Sequence, residues 1–208
     1  AINAFNGHKT GGVVVGIEGY FKAIALAQNG VEATAFTGIS TYKTDGMEEY
    51  LLRRRPDDMV IMYDGDALRI SEKQTEVISA TRVLAFRSSA IRFAEQFHNF
   101  CQRHGLKTRL HFCMVEPTLP HKGVDDLLAA SAPGERSRII AEWRTFRTSE
   151  YFRFLRLHKT TCRRRIDDFF GTTNHIEFYR RHAGIIGHRP FRFGGLTYQP
   201  EAPARNYN

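Results

Sequence analysis

The sequence predicts an α/β fold in which a mostly parallel, four-stranded sheet has helices on both faces. Short runs of β-branched and other apolar residues alternate with longer segments in which apolar residues recur at the spacing of a helix. Turn residues follow both kinds of segment. Strands that alternate with helices form βαβ units, and the strands of such units are parallel. The 208 residues, of which 42% are hydrophobic, are enough for a buried core and exclude a globally disordered or fibrous chain.

Four apolar runs are predicted as strands, and they cover residues 13–17, 34–36, 60–63 and 108–114. The first run (VVVGI) and the third (VIMY) contain only residues that suit a strand buried on both faces. The first run is followed by Glu18-Gly19, and the third by Asp64-Gly65-Asp66. Each strand therefore ends at a turn that contains an acidic residue.

The predicted helices between and after these runs cover residues 20–28, 45–54, 71–104 and a short segment that begins near residue 124. The first ends at Asn29-Gly30, a common helix stop, and the second has acids in its first turn and arginines in its last. The third begins at Ser71 as N-cap and ends before Gly105. A break of this long helix near Arg87 is an alternative.

The composition changes at residue 130, so we predict three parts: an α/β domain over 1–130, a basic helical extension over 131–183 and a tail over 184–208. Residues 135–157 interleave aromatic and aliphatic residues with arginines and are predicted as a helix. These aromatic residues face the core or, alternatively, stack on unpaired bases. The tail is rich in Gly, Pro and polar residues and is predicted to be extended, without a sheet of its own.

All of the excess positive charge lies beyond residue 130. Residues 1–130 hold 15 Lys and Arg against 15 Asp and Glu, whereas residues 131–208 hold 15 against 7, and 14 of those 15 cations are Arg. Arginine binds phosphate oxygens through two parallel hydrogen bonds, so this pattern favours a nucleic-acid partner. The run Arg163-Arg164-Arg165 is the predicted phosphate-binding segment. The alternatives are a solvated helix face and a contact with an acidic neighbouring domain.

Three carboxylates follow two of the predicted buried strands: Glu18 after the first, and Asp64 and Asp66 after the third. The carboxyl ends of parallel strands share one edge of the sheet, and ligands bind there. Carboxylates that meet at one edge repel one another unless a cation lies between them. Hard divalent cations bind such oxygen ligands, so the sequence predicts a metal site at this edge.

Three segments carry a resemblance to a known family: VGIEGYFKAIALAQNG over 15–30, MYDGD over 62–66 and HKGVDDLL over 121–128. In their order, and in following predicted strands, they resemble the three acidic motifs of the Toprim domain. Within that superfamily the chain is most similar to the DnaG-type primases of bacteria, phages and plasmids. The resemblance covers about residues 11–130 and implies a Toprim, Rossmann-like sheet.

The resemblance also implies a metal-dependent site for phosphodiester chemistry. In Toprim proteins the Glu that matches Glu18 is assigned general acid or base work and sometimes metal contact, and the aspartates that match Asp64 and Asp66 hold Mg²⁺ or Mn²⁺. Asp126, with Asp125 as the alternative, matches the acid that serves a second ion. Two ions roughly 3.5–4 Å apart clamp the attacking and leaving oxygens of an in-line displacement.

Lys22 departs from the primase pattern, which has an acidic residue four positions after Glu18. At this helical spacing Lys22 pairs with Glu18 or contacts a phosphate in place of a metal. The change removes a metal ligand, so one alternative is a module that binds nucleic acid without catalysis. Lys122 contacts incoming phosphate or, alternatively, lies on the surface.

The function predicted from this resemblance is primase-like nucleotidyl transfer with Mg²⁺ or Mn²⁺. A 3′-hydroxyl attacks the α-phosphate of a nucleoside triphosphate on a single-stranded DNA template during replication. Further partners are a replicative helicase or other domains of a longer chain. The alternatives are phosphodiester cleavage, as in Toprim nucleases and topoisomerases, and binding alone.

The remaining sequence features exclude other classes of protein. Cys101, Cys113 and Cys162 lack the CxxC spacing of a zinc site, and their odd number disfavours a disulfide framework. No apolar run approaches the roughly 18–20 residues that span a bilayer, and residues 1–20 have no signal-peptide pattern. We therefore expect a soluble, intracellular protein with no membrane partner. The resemblance to primases implies the cytoplasm, at the bacterial nucleoid or in a phage-infected cell.

Overall fold

The computed structural model describes residues 2–3, 10–36, 47–65, 76–158, 160–161, 163–170, 191–193 and 196–198. The helices and strands follow the chain in the order β1 (Ile2–Asn3), β2 (Val13–Glu18), α1 (Tyr20–Gln28), β3 (Ala33–Phe36), α2 (Met47–Arg54), β4 (Asp58–Tyr63), α3 (Glu76–Arg103), β5 (Arg109–Val115), α4 (Val124–Ala130), α5 (Pro133–Trp143), β6 (Phe152–Leu157), α6 (Arg163–Phe170), β7 (Phe191–Phe193) and β8 (Leu196–Tyr198). The predicted α/β class is confirmed.

The main sheet has the strand order β1-β3-β2-β4-β5-β6. Its four central strands, β3, β2, β4 and β5, are parallel, as predicted. The two-residue β1 adds to β3 at one edge and β6 adds to β5 at the other, both antiparallel. The sheet is therefore mostly parallel, with a four-strand centre and two antiparallel edges that were not predicted.

Helices cover both faces of the sheet and form two cores. The first core lies between the sheet and α2, α3 and α6, and the second lies between the sheet and α1, α4 and α5. Along β4, Met59, Ile61 and Tyr63 belong to the first core, whereas Val60 and Met62 belong to the second. This alternation buries β4 on both faces, which explains its uninterrupted apolar run.

Two glycines shape β2 and the turn that follows it. A Cβ at Gly16 would lie 2.2 Å from Cε2 of Phe36, so only glycine fits beneath that ring. Gly19 has a φ of +99°, which side chains of L-residues rarely adopt, and α1 starts directly after it. This sharp turn leaves Glu18 exposed at the carboxyl edge of the sheet.

The helix α3 runs from Glu76 to Arg103 without interruption, so the alternative of a break near Arg87 is wrong. Arg87 is 3% exposed, and its guanidinium is paired with Asp167 of α6. This ion pair and the burial of Ala90, Phe93 and Phe97 hold the middle of the helix against the sheet. No helix in the described part of the chain, α3 included, is long and apolar enough to cross a membrane. The predicted N-cap of this helix, Ser71, lies outside the described residues.

The helix predicted over residues 135–157 is wrong in its second half. The structure ends α5 at Trp143 and forms β6 from FRFLRL, which pairs with β5. Phe146 has a φ of +54°, and the N–H of Ser149 donates to the carbonyl of Phe152 at 2.8 Å, so the chain reverses between the two elements. Residues on both sides of the predicted boundary at residue 130 therefore share one sheet.

The core alternative for the aromatic residues of this segment is confirmed. Trp143, Tyr151 and Phe152 are 2%, 7% and 1% exposed and belong to the second core. Phe146 and Phe154 are partly buried and pack against it. Their energetic role is apolar burial, and their side chains are not available as a platform for bases.

The prediction that residues 184–208 have no sheet is also wrong. Strands β7 and β8 pair antiparallel, with Phe191 opposite Tyr198 and Phe193 opposite Leu196. The sequence between them is Gly-Gly, and two glycines between short alternating runs are a typical hairpin signal. Composition alone does not show that local pattern.

Candidate active site

The carboxyl ends of β2 and β4 lie side by side at the centre of the sheet. The chain leaves β2 toward β3 on one side and returns to β4 on the other, so the connections diverge between these two strands. In open α/β sheets, ligands bind at this switch point, beyond the carboxyl ends of the strands. Glu18 is the last residue of β2, and Asp64 directly follows β4. Two of the predicted site residues thus lie at the switch point.

Lys22 of α1 is paired with Asp64. Its Nζ lies 2.7 Å from Oδ1 and 2.5 Å from Oδ2, so the ammonium donates to both carboxylate oxygens. The two side chains are 17% and 22% exposed, which makes their attraction stronger than that of a fully solvated pair. The structure therefore gives Lys22 a partner other than Glu18, the partner considered from the sequence.

Asp125 of α4 faces the same small space as Asp64. Its Oδ1 is buried and has no hydrogen-bond partner among the described residues. A Cβ built on Gly123 would lie 2.6 Å from this oxygen, 3.2 Å from Oδ1 of Asp64 and 3.1 Å from Cε of Lys22. Two carboxylates and the side chain of Lys22 therefore converge on Gly123 and fill the place where a side chain would lie.

Asp126 is directed elsewhere. It is exposed, and its Oδ2 accepts a hydrogen bond from the backbone N–H of Gly123 at 3.3 Å, which caps the first turn of α4. The geometry therefore brings Asp125, the alternative considered from the sequence, and not Asp126 close to Asp64. Side chains of adjacent helical residues point in directions about 100° apart. Which of the two adjacent aspartates faces Asp64 therefore depends on the orientation of α4.

A backbone hydrogen bond joins the two loops that carry these residues. The N–H of Gly65 donates to the carbonyl of Lys122 at 2.9 Å. A Cβ at Gly65 would lie 2.7 Å from the carbonyl oxygen of Val115, a backbone atom that cannot move aside easily. This close approach explains the glycine between the two aspartates of the DGD segment, and it leaves the exposed Lys122 at the same edge of the sheet.

Four predicted site residues remain, and Arg165 is the one among them whose side chain is described. Asp66 lies outside the described residues, as do the side chains of Arg163 and Arg164. Arg165 is exposed on α6, and α6 packs on the first core. Since α1 and α4 pack on the second core, the arginine run starts on the opposite face of the sheet.

The sequence analysis missed three residues at this edge. Glu116 directly follows β5, and its two carboxylate oxygens accept hydrogen bonds of 2.8 Å from Arg153. These hydrogen bonds outweigh the effect of burial and hold the pKa of Glu116 below its ordinary value. Tyr20 and Phe21, which follow the Glu18-Gly19 turn, are 47% and 80% exposed. The rule that pointed to Glu18 and Asp64, an acid directly after a parallel strand, would also have found Glu116.

The described residues fit a single hard divalent cation. Mg²⁺ takes one or two carboxylates and completes its octahedron with water and substrate phosphate. Asp64 and the orphaned oxygen of Asp125 supply that number, and both oxygens lie close to Gly123. Within the described ranges no group of three or more His, Cys, Asp or Glu side chains has the geometry of a metal cluster. The fit is therefore to a cation that keeps most of its water.

Gly123→Ala is expected to weaken Mn²⁺ binding without unfolding the protein. The added Cβ would enter the space between Asp64 and Asp125, and it meets the ends of flexible side chains. Overpacking of this kind costs about 1–3 kcal/mol of stability. Gly134→Ala is the control, since a Cβ there meets nothing within 4 Å. Calorimetric titration measures the affinity, and equal Mn²⁺ affinities of the two variants would contradict a site beside Gly123.

The chain matches no protein-family model. Comparisons with curated proteins and with solved structures also give no match.

Proposed function

We propose that the chain is a Toprim-like domain that catalyses metal-dependent nucleotidyl transfer on nucleic acid, as in primer synthesis on a DNA template during replication. The observation that carries the proposal is the convergence of Asp64 and Asp125 beside Gly123, at the edge where Glu18 ends β2. An orphaned, buried carboxylate oxygen is costly unless a cation or a proton satisfies it. The proposal places the protein in the cytoplasm of a bacterium or a phage-infected cell, with a replicative helicase or further domains as partners.

Each residue of the site has a role in this reaction. Asp64 and Asp125 hold Mg²⁺ or Mn²⁺, and Asp66 is a further proposed ligand. A bound ion of this type polarises the phosphoryl group and stabilises the oxygens of an in-line displacement. Glu18 accepts the proton of the attacking 3′-hydroxyl as its oxygen bonds to the α-phosphorus and pyrophosphate leaves. Lys122, exposed at the same edge, contacts the incoming phosphates.

The template is held through its phosphates by the basic part of the chain. The arginines beyond residue 130, including Arg163, Arg164 and Arg165, account for the net charge of +8. Contacts of this kind release counterions, so the affinity for a single strand falls as salt rises, with a log–log slope of about −0.7 for each phosphate contacted. The start of α6 lies on the face opposite α1, so a strand that reaches both has to pass the edge of the sheet.

The test is incubation of the protein with single-stranded DNA and labelled nucleotides in Mn²⁺, in Mg²⁺ and in excess chelator. We expect short labelled products that require the metal, and DNA binding that weakens between low and high salt. Shortened DNA with the same metal dependence would contradict polymerisation and identify a nuclease. DNA binding that is unchanged by chelator and by nucleotides, without any product, would contradict both activities and identify a binding module.

The binding module is the second candidate, and the pair of Lys22 and Asp64 is the observation that favours it. An ammonium that already neutralises Asp64 takes over the electrostatic role of a metal. Asp64 then needs no ion to offset its charge when a phosphate binds at this edge. The orphaned oxygen of Asp125 is the observation against this candidate.

A further inference from the structure

Lys22 and a divalent cation require the same two atoms. The ammonium of Lys22 contacts both Oδ1 and Oδ2 of Asp64, at 2.7 and 2.5 Å. Its Cε also borders the space beside Gly123 that Asp125 faces. The lysine side chain therefore occupies the place at Asp64 that the proposed function gives to a metal.

The two cations compete for Asp64 for physical reasons. Mg²⁺ bonds carboxylate oxygens at about 2.0–2.1 Å, and the ammonium of Lys22 already contacts both oxygens of this carboxylate. Two positive charges a few ångströms apart in a partly shielded site also repel strongly. The lysine stem has four rotatable carbons, so the ammonium can move aside while α1 stays in place.

We infer that Lys22 is a built-in competitor for the metal: it neutralises Asp64 until a divalent cation displaces it, so that Asp64 alternates between two cations. This inference rests on the proposed function. Because the metal ion has to displace the ammonium of Lys22, it binds more weakly than it would bind to the carboxylates alone. It also frees a tethered ammonium beside the site at the moment when the metal, and the phosphate that completes its coordination, arrive.

Titration of Mn²⁺, followed by electron paramagnetic resonance of the free ion, tests the inference on the whole chain. Lys22→Met removes the ammonium and keeps the apolar stem, so we expect Mn²⁺ to bind about tenfold more tightly than to the wild type. Lys22→Arg keeps a cation on Asp64 and should stay near the wild type. Lys107→Met is the matched control because it removes one exposed lysine charge at the opposite end of β5.

Thermal unfolding with and without saturating Mg²⁺ gives a second readout. A ligand that binds only the folded state raises Tm with its affinity, so Mg²⁺ should raise the Tm of Lys22→Met more than that of the wild type. Lys22→Gln, which keeps a hydrogen-bond donor for Asp64, serves if Lys22→Met does not fold, and the same gain in affinity is expected.

The outcomes separate this inference from the proposed function. If Lys22→Met binds Mn²⁺ more tightly and no variant makes product, the inference is supported and the proposed catalytic function is contradicted. If the wild type makes product and Lys22→Met and Lys107→Met bind Mn²⁺ equally, the inference is contradicted and the proposed function is supported. Absence of Mn²⁺ binding in every variant overturns the inference.

Discussion

Asp64→Asn is expected to reduce metal-dependent product formation by at least about a hundredfold. Loss of residues that only orient metal ligands costs 10–100-fold in affinity or activity, and Asp64 is proposed as a direct ligand. The amide keeps the shape of the carboxylate and an oxygen for Lys22, so the fold should survive. Initial rates of nucleotide incorporation at saturating Mn²⁺ measure the effect, and circular dichroism verifies the fold.

The adjacent pair Asp125 and Asp126 provides a matched control for this prediction. Asp125→Ala removes the orphaned oxygen beside Gly123 and should lower the rate by about 10–100-fold. Asp126→Ala removes a helix cap and should cost about 0.5–2 kcal/mol of stability while the rate stays near that of the wild type. A larger loss of rate in Asp126→Ala than in Asp125→Ala would contradict the site as described.

Arg109→Met is expected to lower the free energy of unfolding by about 1–2 kcal/mol at pH 7. Asp58 at the start of β4 is 6% exposed, and Arg109 donates to its two oxygens at 2.7 and 2.5 Å. Removal of one partner of a fully buried pair costs about 3–5 kcal/mol. A smaller loss is expected here because Arg109 is 50% exposed, so water screens the pair, and because His111 still contacts Asp58 at 2.8 Å. Urea unfolding measures the change.

The pH dependence of stability follows from the same three residues. Burial alone would raise the pKa of Asp58, but the hydrogen bonds from Arg109 and His111 outweigh it and hold that pKa below its ordinary value of 3.8. Its stabilisation is therefore present at neutral pH and is lost as the pH falls through the folded-state value. Burial lowers the pKa of His111 below 6.5, so the unfolded chain takes up this proton first, and stability begins to fall below about pH 6.5.

The difference between Arg109→Met and the wild type should therefore be largest at neutral pH and should shrink as the pH falls below 4. Without Arg109, the pKa of Asp58 rises, and the folded state loses less by protonation. Lys107→Met is the control, because an exposed lysine should change stability by less than about 0.5 kcal/mol. A change of that small size in Arg109→Met at pH 7 would show that the pair with Asp58 does not stabilise the fold.

Much of the fold was predictable because its signals are local. The runs VVVGI and VIMY marked central strands, and the Asn29-Gly30 and Gly105 signals ended α1 and α3 where expected. The strand β6 was missed because FRFLRL does not alternate strictly, and the arginines and aromatic residues before it suggested one continuous helix. Only its pairing with β5 made the extended form favourable.

By itself, the sequence determined the α/β class, the four parallel strands and the acids that end two of them. Only the tertiary structure decided the strand order, the choice of Asp125 over Asp126 and the partner of Lys22. These depend on distances between elements far apart in the chain: Lys22 and Asp64 are 42 residues apart and meet because β2 and β4 are neighbours. Periodicity and spacing report on one element at a time. The chemistry of this site lies in the contacts between elements, which packing of the two cores sets.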